Sequence, residues 1–70
     1  MEIEITGEFI KLSQFLKKID VCPTGGMAKY FVQVHRILIN GNLANGRNAK
    51  IYPGDTVWID DNVYLIKGQN

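Results

Sequence analysis

Thr24-Gly25-Gly26-Met27-Ala28-Lys29, then Ile37-Leu38-Ile39-Asn40-Gly41, then Arg47-Asn48-Ala49-Lys50-Ile51-Tyr52-Pro53-Gly54-Asp55 fill the middle of this 70-residue chain. The Thr24 hydroxyl is placed to cap the free amides of a helix opening at Gly25. In that helix Met27, Ala28, Phe31 and Val32 are expected to face a core, with Lys29, Gln33 and Arg36 toward solvent. Two glycines at a helix start cost conformational entropy, so they need a reason. Close approach of another backbone, as in helix–helix packing, or of a phosphate would supply one. Ile37–Ile39 reads as a short strand closed by Asn40-Gly41, a dipeptide that accepts positive φ at both positions of a tight turn. Pro53-Gly54 suits the centre of a type II turn, with Asp55 leading into a further strand, Thr56–Ile59.

Outward from this stretch, Glu2–Thr6 alternates with Ile3 and Ile5 on one face, a strand pattern broken at Gly7. Leu12, Phe15, Leu16 and Ile19 follow the i, i+3, i+4, i+7 spacing of an amphipathic helix that begins at Lys11 and cannot pass Pro23. Leu43-Ala44 is read as the start of a return strand after Asn40-Gly41. Beyond Ile59, Asp60-Asp61-Asn62 forms a turn and Val63–Ile66 completes a hairpin. Two consecutive helices followed by short strands give an α+β domain, the helices packed on a small, mostly antiparallel sheet.

Seventy residues allow one domain, 1–70, which buries only about 60% of the surface its unfolded chain exposes. Cys22 is the single cysteine, so no intrachain disulfide can form, and it reads as a small buried hydrophobe. Met1–Gly7 lacks a signal-peptide pattern, and no apolar run approaches the ~20 residues of a membrane span; the expectation is a cytoplasmic, soluble protein with no membrane partner. One His and one Cys cannot make a metal site, and no phosphate-cradling loop or dinucleotide fingerprint is present. The sequence therefore predicts no catalysis, metal, cofactor or small-molecule substrate. Eight cations against seven acids leave a net charge of +1. Their distribution is uneven: acids gather at the two ends, and Lys11, Lys17, Lys18, Lys29, Arg36, Arg47 and Lys50 lie between. A one-sided basic surface is compatible with the near-neutral total.

The order Lys11-Leu12, Phe15-Leu16-Lys17, Gly25-Gly26, Ala28-Lys29, Ile39-Asn40-Gly41, Arg47, Lys50-Ile51 and Pro53-Gly54-Asp55 resembles a known family. It is the RNA-binding domain named after the fourth protein of the small ribosomal subunit, the alpha-L motif, and within it the small stand-alone bacterial proteins of the YaaA/YbcJ type. The resemblance covers about residues 9–59, flanked by the N-terminal strand and the C-terminal hairpin. It implies that the two helices and the following loop bind structured RNA, with ribosomal RNA the leading candidate and ribosome assembly the setting. Carried over position by position, the RNA-binding residues would be Lys11, Lys18, Gly25, Gly26, Lys29, Arg47 and Lys50.

Three departures from the family pattern stand out, in the loop, at the end of the second helix and in the strand after Asp55. Gly46, Asn48 and Ala49 stand where Arg, Gly and Lys or Arg are usual, which thins the charge of the loop. His35 replaces a helix-ending glycine and is expected to sit there with strained, positive φ. Trp58 occupies a commonly polar strand position; packing against the N-terminal strand is the preferred reading and an exposed aromatic contact the second. Tyr30 and Tyr52 read first as partly buried core residues and second as base-stacking rings. Scattered lysines are, on residues alone, more often a solvated face than a ligand site. The thinned loop and the +1 charge support an alternative, a protein–protein adaptor on the ribosome that keeps the fold with weakened RNA affinity.

Overall fold

A computed structural model describes residues 1–68 of the chain. Its elements are β1 (Glu2–Ile5), β2 (Ile10–Lys11), α1 (Leu12–Lys18), α2 (Gly25–Val34), β3 (Ile37–Ile39), β4 (Asn42–Leu43), β5 (Lys50–Ile51), β6 (Thr56–Ile59) and β7 (Asn62–Gly68). The two helices pack on one face of a five-stranded sheet ordered β1-β7-β6-β3-β4, and β2 with β5 forms a separate two-stranded ribbon. Only the β1–β7 pair is parallel; the other pairs are antiparallel, and short turns join β3 to β4 and β6 to β7.

The helical spacing of α1 does what it predicts. Leu12, Phe15 and Leu16 are fully buried, and Ile19, at the helix end, packs against the same core. Ile5, Ile37, Val57, Ile59 and Ile66 meet them from the sheet, while Ala28 and Cys22 come from α2 and the connection before it. The Phe15 ring meets Tyr64 edge-on at 5.5 Å, fixing α1 over β7. At the other end of α1, the Gln14 side chain accepts from the Lys11 N–H at 3.1 Å. That is half of a capping box, since a lysine side chain has no acceptor to complete it. The first-turn amides are met from elsewhere: Leu12 N–H donates to the Ala49 carbonyl and Ser13 N–H to the Arg47 carbonyl, each at 2.8 Å. The 47–49 backbone is thereby fastened across the start of α1.

The two turn motifs are wired to each other. Asn40 and Gly41 have φ of 55° and 85°, the double positive φ of a type I′ turn. Gly54 has φ of 94°, and Asp55 N–H donates to the Tyr52 carbonyl at 3.0 Å, as a type II turn requires. Across the gap, Asn40 Nδ2 donates to Asp55 Oδ1 at 2.8 Å, and Asn40 Oδ1 accepts from Thr56 N–H at 2.9 Å. The second Asp55 oxygen accepts from Tyr52 N–H at 2.8 Å. One amide and one carboxylate thus tie the β3–β4 turn to the β5–β6 turn.

Several expectations change. The β3–β4 return starts at Asn42, because a two-residue turn brings Asn42 opposite Ile39. The β2–β5 ribbon has two residues per strand, too few to leave a periodic signature. Met27 is 51% exposed, since at 100° per residue it lies away from the Ala28–Val32 stripe. Tyr30 is likewise exposed, and Tyr52 is half-exposed against Phe9. His35 caps the C-terminus of α2 with φ of −112°, ordinary extended backbone without strain. Trp58 lies in β6 between Leu38 of β3 and Val63 of β7, on the face away from the helices; β1 is not its neighbour, and it is 43% exposed.

Candidate nucleic-acid interface

The β2–β5 ribbon places two of the expected site residues side by side. Lys11 stands directly opposite Lys50, with Ile10 opposite Ile51. Residues opposite one another on antiparallel strands project to the same side, so two like charges share one exposed spot at a cost to stability. Neither lysine pairs with an acid among the described residues, whose ion pairs are His35–Asp60 and Lys67–Glu2. Lys50 Nζ lies 4.8 Å from the centroid of the Phe9 ring, a cation–π contact that holds the ammonium without neutralising it. Lys18 borders the same area, lining a cleft with Phe9, Ile10 and Gln14. Lys50 and Lys18 thus border Phe9, and Lys11 stands across the ribbon from Lys50.

A second group forms at the start of α2. The Thr24 hydroxyl accepts from Met27 N–H at 3.2 Å, as expected of an N-cap. Arg47 Nη1 donates to the Gly25 carbonyl at 2.9 Å, so the guanidinium is anchored at the helix mouth with other N–H donors still unused. Lys29 follows Gly25 by four residues and shares its face. The glycine pair has no steric need within the chain. A Cβ on Gly25 would meet only Arg47 Nη1, at 3.8 Å, and one on Gly26 would meet nothing within 4 Å. Neither glycine has positive φ. Close packing against another backbone therefore does not explain them.

The segment 47–50 joins the two groups, with Arg47 at one end and Lys50 at the other, and its carbonyls are bonded to α1 between them. Its departures from the family pattern have structural reasons. Gly46 has φ of 104°, which disfavours any other residue, and Ala49 packs against the core. At these two positions the chain has a positive-φ turn and a partly buried methyl group.

Two of the acids are held in ion pairs away from the ribbon. Glu2 is held by Lys67 at 3.0 Å on β1–β7, and Asp60 by His35 at 2.8 Å at the β6–β7 turn. Hydrogen bonds from His35 and from the Arg36 backbone N–H hold the Asp60 carboxyl below the usual carboxylate range. Burial pushes the Cys22 thiol up, in keeping with its place in the core. No cluster of metal-ligating side chains occurs among the described residues. No helix among them is long and apolar enough to cross a membrane.

The sequence pattern gave no sign of Phe9, and Tyr30, read first as partly buried, is exposed as its second reading required. Phe9 sits between Glu8 and Ile10 with no period to mark it, and only the pairing of β2 with β5 brings Lys50 over its ring.

A two-helix layer on a mixed sheet, with a cation-bearing ribbon and loop at the helix starts, fits a small S4-type α+β domain. The family model for the S4 domain matches residues 3–67, and the chain belongs to that family. The match exceeds the 9–59 stretch legible from motifs, because β1 and β7 are part of the same sheet. The chain is 48% identical over 58 residues to the "Probable ribosome maturation protein RlbA" of Bacillus subtilis (strain 168), covering 83% of this chain and 82% of that protein. No solved structure matches it.

Proposed function

We propose that this protein binds structured RNA, ribosomal RNA in particular, as a non-catalytic factor in ribosome maturation. The observation that carries the proposal is the Lys11–Lys50 pair, two like charges set opposite each other with no ion pair to an acid among the described residues. Such an arrangement costs the free protein stability and gains when an anion lies between the ammonium groups. Gly25, Gly26, Lys29 and Arg47 extend the surface, adding exposed helix-start amides and the positive end of the α2 dipole. Lys18 flanks it. Contacts of this kind read the shape and backbone of folded RNA rather than its base sequence. Membership in the S4 family and the name of the Bacillus subtilis relative supply the ribosomal setting.

Titration with ribosomal RNA fragments at two salt concentrations tests this reading. About four or five phosphate contacts give a log–log salt slope of roughly −3 to −4. Lys29→Glu and Lys50→Glu should each weaken binding and flatten the slope. Binding that neither variant alters, or no binding at low salt, would refute it.

A second reading, an adaptor that docks a ribosomal protein, rests on a separate observation. Val63, Trp58, Leu38 and Leu43 form an unbroken apolar row across four strands on the outer sheet face. Loss of ribosome association in Trp58→Ser with intact RNA affinity would favour it.

A further inference from the structure

Beside the cationic face lies a groove that the phosphate contacts leave unused. Its volume is about 380 Å³, and its walls are Val21 and Cys22 from the α1–α2 connection and Met27, Tyr30, Val34 and His35 from α2 and its cap. That volume falls within the range of small-ligand sites, about 300–1,000 Å³. The groove is mostly apolar, yet Tyr30 is 68% exposed. Its far end is prearranged: the His35 ring stacks on Phe31 at 4.0 Å and 20°, and Asp60 fixes that ring through Nδ1 at 2.8 Å.

We infer that this groove receives an unpaired nucleobase of the bound RNA, stacked on Tyr30; the inference rests on the RNA-binding reading above. Position selects this occupant. Gly26 belongs to both the groove and the proposed phosphate face, and Tyr30 follows Lys29 directly, so a backbone held at Lys29 presents its base to the groove. Chemistry agrees: an exposed aromatic ring in an apolar recess next to cations is the combination that holds single-stranded bases, because every base offers a π-face. Fully paired RNA cannot use it, since its bases are stacked within the helix. The protein would therefore favour a stem bearing an unpaired loop or bulge over the same stem fully paired.

The test compares two RNAs with the same number of nucleotides, a hairpin with an unpaired loop carrying 2-aminopurine and a blunt duplex whose stem is lengthened to match its charge. Wild type should bind the hairpin about tenfold more tightly, with a change in 2-aminopurine fluorescence. Tyr30→Ala should remove the preference and the fluorescence change, leave the salt slope unaltered, and leave duplex affinity as it was. Tyr30→Phe should retain the preference. Salt-dependent binding with no hairpin preference, or a Tyr30→Ala loss equal for both RNAs, would overturn the base site while leaving the phosphate face standing. Absence of salt-dependent binding to either RNA would overturn the underlying reading as well. Self-association that Tyr30→Ala abolishes without affecting RNA affinity would assign the groove to a second copy of the chain and also overturn the proposal.

Discussion

The Asn40–Asp55 junction and the Lys11–Lys50 ribbon, which shares Lys50 with that stretch of sequence, differ in how the chain treats their polar groups. At the junction, the Asn40 amide bonds Asp55 and Thr56, and the Asp55 carboxylate bonds Asn40 and Tyr52. Each side chain spends its hydrogen-bonding capacity inside the molecule. At the ribbon, Lys11 and Lys50 stand opposite each other with no ion pair to an acid among the described residues, and the Lys50 ammonium rests on an aromatic ring. The α2 start resembles the ribbon: its glycines answer no steric demand of the fold. Asn40 and Asp55 are accounted for by partners inside the fold, whereas Lys11 and Lys50 have no ion pair among the described residues; Arg47 stands between the two cases, its Nη1 bonded to the Gly25 carbonyl.

Substitutions can break the comparison at either end. Asp55→Ala removes two side-chain hydrogen bonds and should cost about 2 kcal/mol of unfolding free energy in a denaturant titration, with RNA affinity of the folded protein unchanged. Equal loss of RNA affinity would erase the distinction between the two regions. Lys50→Glu should do the reverse. Relief of like-charge repulsion should leave stability equal or raise it by about 0.5 kcal/mol while RNA binding falls. Gly26→Ala should stabilise α2 by about 0.5 kcal/mol, since its Cβ enters open space, yet weaken RNA binding by covering the helix-start amides. The smallest effect concerns the His35–Asp60 clip. Asp60 has a lowered folded-state pKa, so its contribution is present above the unfolded value of about 3.9 and is lost as pH falls through the folded one. The stability difference between wild type and Asp60→Asn should therefore shrink in urea titrations carried from pH 5 downward, and a constant difference would deny the linkage.

Much of the fold was legible because it depends on local rules. The apolar spacing of Leu12, Phe15 and Leu16 marks α1, Thr24 marks the start of α2, and Asn40-Gly41 and Pro53-Gly54 mark turns whose positive φ few other residues accept. What escaped depends on long-range pairing. Two residues per strand in β2 and β5 leave no period, so the meeting of Lys11 with Lys50 appears only in three dimensions. Met27 was misplaced because its apolar character suggested a core position that helical geometry denies it. His35 was expected in a glycine-like conformation. It reaches the helix end in extended backbone instead, and its ring is held by Phe31 and Asp60. The cation list came from family resemblance; its division into a ribbon group and an α2-start group came from the structure.

The central claim is that the uncompensated charges of Lys11, Lys50 and the α2 start exist to meet phosphate. Its most direct test is the salt dependence of binding to a structured ribosomal RNA fragment, measured for wild type and for Lys11→Glu with Lys50→Glu in one chain. The account predicts a log–log slope of about −3 to −4 for wild type, collapsing toward zero in the double variant while the protein stays folded. A wild-type affinity indifferent to salt, or a double variant that binds with the wild-type slope, would contradict it.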